Sequence, residues 1–131
     1  MVEFNEFQYF TGIVNNIFSF HGCTSLSKIT LPNNLIACDG SYVFAGCPLI
    51  NIIFPSTITS IYSHFMIEGC TTLKYIKCLS KNPPTIRDTT LLRANNTYLI
   101  YVLDASLNAY KTAEYWNDFA SRIKPLSECE E

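Results

Sequence analysis

Phe20-His21-Gly22-Cys23, Phe44-Ala45-Gly46-Cys47 and Ile67-Glu68-Gly69-Cys70 are copies of one phrase, set at nearly equal intervals along the chain. The likeness continues downstream. Cys23-Thr-Ser-Leu26-Ser-Lys-Ile29-Thr-Leu31-Pro32 matches Cys47-Pro-Leu49-Ile-Asn-Ile52-Ile-Phe54-Pro55 and Cys70-Thr-Thr-Leu73-Lys-Tyr-Ile76-Lys-Cys78. The middle copy is one residue shorter between Cys and Leu. The last apolar step has a period of two, so both of its residues face one side of a short strand. A proline, Pro32 or Pro55, then interrupts the ladder.

After each proline an apolar residue returns twice, as Leu35 and Cys38 or as Ile58 and Ile61. A polar turn and an aromatic-rich turn lead to the next Gly-Cys. Upstream, Val14, Phe18 and Phe20 keep part of the same register. The phrase therefore predicts a partial first coil, two full coils and a third that ends differently. A period of 20–29 residues with apolar residues at fixed offsets is the sequence form of a leucine-rich solenoid. Each coil buries its apolar face only by stacking on its neighbours. The fold class expected is α/β, a short right-handed leucine-rich-repeat solenoid with a narrow parallel sheet.

The whole chain, 1–131, reads as a single domain. Residues 1–22 form an N-terminal cap and partial coil, 23–82 the repeats, and 83–131 a closing strand with a helical cap. Phe4, Phe7, Phe10 and Ile13 step by three, which fits a short helical turn or an irregular cap. Pro83-Pro84 ends the third coil, and beyond Cys78 the period breaks. Tyr98–Val102 reads as a last strand. Asp104 or Ser106 offers an N-cap. Leu107, Tyr110, Ala113, Trp116, Phe119, Ala120 and Ile123 then follow at helical spacing, and Trp116 is the expected anchor of the C-terminal cap.

Five of the six cysteines occupy apolar slots of the repeat. Buried thiols are therefore expected in preference to a disulfide between adjacent coils or to a metal site. Cys23, Cys47 and Cys70 should form a column down the interior, and Cys129 lies in a polar tail. No residue pattern supports catalysis. His21 takes a slot that holds Ala45 and Glu68 in the other copies, so it faces solvent, and His64 lies in a turn. No nucleophile and base are paired, and the glycines are single. Asn95-Asn96-Thr97 reads as loop. No cofactor is implied.

Hydrophobic residues make up 48% of the chain and charged residues 15%, which excludes a disordered polymer. The net charge of −2 and the absence of a basic run argue against a nucleic-acid role. The apolar runs fall short of the ~18 residues of a membrane-spanning helix, so no membrane insertion is expected. The residues ahead of the repeats are not expected to form a charged and apolar leader. Recognition is left. The strand positions between the inward residues are Ser27, Lys28 and Thr30, then Ile50, Asn51 and Ile53, then Lys74, Tyr75 and Lys77. An apolar centre at Ile50 and Ile53, with Asn51 and Tyr75 beside it and Lys28, Lys74 and Lys77 around it, has the composition of a protein contact.

The repeat resembles the BspA-like leucine-rich-repeat family. Its pattern F-x-G-C-x-x-L-x-x-I-x-L-P-x-x-(V/L)-x-x-I runs through Phe20–Cys38, Phe44–Ile61 and Ile67–Cys78. The opening Glu6–Ile13 is similar to the family's lead-in. Ile100-Tyr101-Val102, Ala105–Lys111, Trp116 and Arg122-Ile123 are similar to its closing segment. Leu103 departs from the usual proline and Ile67 from the usual aromatic. The resemblance implies a non-enzymatic module for adhesion at a bacterial cell surface, outside the cell, with a protein or glycan partner. The alternative it implies is a structural end-domain of a larger surface or phage virion protein.

Overall fold

The computed structural model describes residues 2–4, 15–17, 20–89 and 98–130. Among the described residues ten short strands carry the fold: β1 (Val2–Phe4), β2 (Asn15–Ile17), β3 (Leu26–Ile29), β4 (Ala37–Asp39), β5 (Asn51–Phe54), β6 (Ser60–Tyr62), β7 (Tyr75–Cys78), β8 (Thr85–Ile86), β9 (Leu99–Val102) and β10 (Ile123–Pro125). All of the pairings among these strands are parallel. The chain alternates between two sides. One side holds β5, β7, β9 and β10 in that order, with β1–β3 as a separate pair, and the other holds β2, β4, β6 and β8.

The single narrow sheet expected from the sequence is therefore two sheets, and one of them is in two pieces. The second sheet was hidden because its strands are so short. Each is only two or three residues long, too brief a run for a period of two to register.

The pairings set identical residues in line. Ile52, Ile76, Ile100 and Ile123 are consecutive partners across four strands, and all four are fully buried. Cys38, Ile61 and Ile86 line the second sheet in the same way. β-Branched side chains suit such a row, because their restricted rotamers pack on a pleated surface at little entropic cost. The isoleucines keep the same interval as the Gly-Cys phrase. The period thus runs on past Cys78; only the phrase itself stops. Pro83-Pro84 does not end the third pass either. β8 follows directly and pairs with β6, since proline is tolerated where a strand begins.

The corners are joined from pass to pass. The Gly22 and Gly46 amides donate to the Ala45 and Glu68 carbonyls at 3.0 and 2.8 Å, and the Phe44 amide to Met66 at 2.9 Å. Gly69 has φ +77°, and a Cβ there would sit 3.5 Å from the Gly46 nitrogen. The left-handed backbone, more than the space, requires glycine here.

Two further expectations change. Phe4 lies in strand β1, not in a helical turn, and its carbonyl accepts the Thr30 amide at 3.3 Å. Phe7, Phe10, Ile13, Val14, Phe18 and the Asn95-Asn96-Thr97 loop lie outside the described residues. The closing segment, expected as a broken helical segment, is α1 (Leu107–Thr112) with 3-10 turns at Asp104–Ser106 and Trp116–Arg122, but its last residue, Ile123, is not helical. Tyr115, at φ 66°, makes the break, and Ile123 then extends into β10. Ser106 stands at the N-cap position of α1 but makes no side-chain capping bond, and Asp104 is not at a cap position. Asp104 Oδ1 accepts the Ser127 amide at 3.0 Å, and Ser106 Oγ donates to the Lys81 carbonyl at 2.6 Å. Trp116 is buried: its indole N–H donates to the Pro84 carbonyl at 2.9 Å, and its ring meets Tyr110 edge-on at 5.2 Å.

Candidate functional site

A strand alternates its faces, so the row beside the four isoleucines points away from the core. It reads Ile53, Lys77, Tyr101 and Lys124. The next outward row is Asn51, Tyr75 and Leu99. Ile53 is 39% exposed, one of only three large apolar residues so exposed among the described residues. Lys77 Nζ lies 5.3 Å from the centre of the Tyr75 ring, and Tyr75 meets Tyr101 edge-on at 5.8 Å. Asn51 Nδ2 donates to the Tyr75 hydroxyl at 3.1 Å.

The residues named from the sequence are distributed as follows. Asn51, Ile53, Tyr75 and Lys77 share this face. Ile50 and Lys74 sit just before β5 and β7, where the Ile50 carbonyl accepts the Lys74 amide at 2.8 Å; Ile50 is half-buried and Lys74 exposed. Lys28 is exposed on β3, which pairs with β1 and not with β5. Tyr75 departs from expectation. It points outward yet is only 7% exposed, because Asn51, Tyr101 and Lys77 close around it.

Tyr101 and Lys124 were missed. Stepping one repeat on from Lys77, and then one more, would have found them. Glu128, Cys129 and Glu130 were missed as well. With Lys74, Tyr75 and Tyr101 they line a cleft of about 330 Å³. The bond from the Ser127 amide to Asp104 ties this tail to the turn after β9, and the same bond holds the Asp104 carboxyl below its usual range.

The cysteine column exists, with a correction at its first member. Cys47 Sγ donates to the Phe20 carbonyl at 3.0 Å, and Cys70 Sγ to the Phe44 carbonyl at 3.1 Å. Each thiol thus adds a second bond to a corner carbonyl of the pass before it, which already accepts the Cys23 or Cys47 amide, a contact that a plain apolar residue cannot make. Cys47 and Cys70 are buried, but Cys23, at the end of the column, is exposed. All six cysteines are free. Burial pushes the Cys38 thiol up to about 12, with the Asp39 charge adding to it, and those of Cys47, Cys70 and Cys78 up to about 11. These thiols stay protonated at neutral pH and are poor nucleophiles.

His64 Nδ1 and Asp88 Oδ2 are 2.7 Å apart, beside Ser63. The Ser63 hydroxyl is buried and has no hydrogen-bond partner, so no relay links it to His64. Among the described residues no three His, Cys, Asp or Glu side chains are grouped to hold a metal ion, and no helix is long and apolar enough to cross a membrane.

Parallel strands recurring at an even interval around a continuous apolar core define a leucine-rich-repeat protein of α/β class. The family model described as BspA type Leucine rich repeat region (6 copies) matches residues 8–105, and the chain belongs to that family. No curated protein matches the chain. Leucine-rich-repeat families are in general protein-binding modules.

Proposed function

We propose that this chain is a non-enzymatic binding module of a bacterial cell surface: a short right-handed solenoid, closed by an aromatic N-terminal cap and a helical C-terminal cap, that holds a protein partner on its outer sheet face. The observation that carries the reading is the row Ile53, Lys77, Tyr101 and Lys124. It places an exposed apolar residue and an aromatic beside two lysines, the mix found at the centre and rim of protein contacts. Asn51, Lys74 and Tyr75 extend the face. The test is capture from host-surface extract by the wild type and by Ile53→Asp and Lys77→Glu variants. A partner retained by the wild type and lost by both, at unchanged Tm, supports the reading. Equal capture by all three overturns it.

A second reading is a structural end-domain of a larger surface or virion protein without a ligand of its own. It draws support from the open end of the cysteine column, where Phe4, Phe20, Cys23 and Leu26 line an apolar cleft of about 460 Å³. A stable complex with the neighbouring structural protein that persists in the Ile53 and Lys77 variants would favour it.

A further inference from the structure

The thiol column is a run of soft ligands that the outer contact face does not use. Cys47 and Cys70 are held alike: each donates to the carbonyl of the corner aromatic in the pass before, at 3.0 and 3.1 Å. Like orientation in successive passes sets their sulfurs one pass apart. Cys23 takes the same place one pass earlier, and the passes are tied at this corner by the Gly22–Ala45 and Gly46–Glu68 bonds. Cys47 feels both neighbours. Burial raises its thiol to about 11, the Cys70 and Cys23 sulfurs disfavour a further negative charge, and the Cys23 amide offsets part of this.

Parallel passes lie ~4.8 Å apart. A disulfide draws its two Cβ atoms in to ~3.8 Å, and the three cysteines are not joined. The same spacing is about twice a metal–sulfur bond of ~2.3 Å, so it suits one ion held in line between two sulfurs. Cu(I) has a filled d shell, prefers soft thiolates and accepts two of them in a line. Zinc takes four ligands, and among the described residues not even three stand together.

Of the two gaps in the column, the one between Cys23 and Cys47 has a way in. Cys23 is exposed and lines the end cleft of about 460 Å³ with Phe4, Phe20 and Leu26. Taking the proton from Cys47 orphans nothing, because the Phe20 carbonyl still accepts the Cys23 amide at 3.0 Å.

We infer that Cys23 and Cys47 form a two-coordinate site for Cu(I). Two S–H bonds release their protons to solvent, two copper–sulfur bonds form, and no electron is transferred. The site is independent of the outer contact face.

The test is an anaerobic titration of the whole chain with Cu(I) against a chromophoric Cu(I) chelator, with X-ray absorption and Tm read on the product. One ion per chain, two sulfur neighbours and a raised Tm are expected. Cys23→Ser, at an exposed position, should leave the metal-free Tm unchanged and remove the rise. Its affinity should fall by more than about a hundredfold, beyond the loss of an outer-shell partner. Cys129→Ser should bind as the wild type does. The inference is overturned if Cys23→Ser binds as tightly, if Cys129→Ser loses the ion, if excess Zn(II) displaces it, or if copper has three or more sulfur neighbours. Several ions per chain, held equally by all variants, would mean adventitious thiol binding only and overturn it too.

Discussion

Two rows of side chains run one residue apart across the same four strands and are built on opposite rules. The inner row is isoleucine four times over. The outer row is isoleucine, lysine, tyrosine, lysine. The inner positions meet the same environment at every pass, with like neighbours along the row and the core in front. One shape therefore fits all of them. The outer positions meet solvent, so no packing demand makes them alike. Stability and recognition are thus separated by strand parity alone, and a substitution should cost according to the row it falls in.

The largest expected effect is on the inner row. Ile100→Ala should cost about 2–5 kcal/mol in denaturant unfolding, because a fully buried site between two isoleucines collapses poorly. A cost under about 1 kcal/mol would break the comparison.

Next comes alkali. The Cys38 and Cys78 thiols titrate above the usual 9.0 in the folded chain because burial disfavours the thiolate. The unfolded chain therefore loses its protons first as pH rises. Stability from these groups is complete below the unfolded value and drains from about pH 9 up to about 11 for Cys78 and about 12 for Cys38. Each should cost about 1–2 kcal/mol near pH 10. Urea midpoints measured from pH 7 to 10 check this; a flat profile would show that the thiols are not sealed in the core.

Tyr75 sharpens the contrast, since it belongs to the outer rows by parity but is covered. Tyr75→Phe should cost about 0.5–1.5 kcal/mol through the lost bond from Asn51. The smallest effect is at Ile53: Ile53→Ala should change stability within the spread of about ±0.5 kcal/mol that surface positions show. A larger loss there would place Ile53 in the core.

The inner row was legible because parity and a near-constant period are both carried by single residue types. The Gly-Cys phrase made the corners legible too, through the left-handed glycine that each corner needs. What escaped depends on contacts distant in sequence. The closing strand β10 looked helical, because Trp116, Phe119, Ala120 and Ile123 keep helical spacing. Tyr115 at φ 66° and the pairing of Ile123 with Ile100 override it. The tail wall of the cleft depends on one long-range bond, from Ser127 to Asp104, and no local pattern announces such a bond. Tyr75 was readable as outward, but its cover comes from three neighbours that only the ladder brings together.

The last strand, β10, ends in Pro125 and carries Lys124. A proline offers no amide to a newcomer, and an ammonium group resists being sandwiched beside an identical one. Rows of like residues are otherwise an open invitation for copies of the molecule to dock end on end into a fibril. At this edge of the described strands, Lys124 and Pro125 make β10 a poor template for the pairing of a second copy of the molecule.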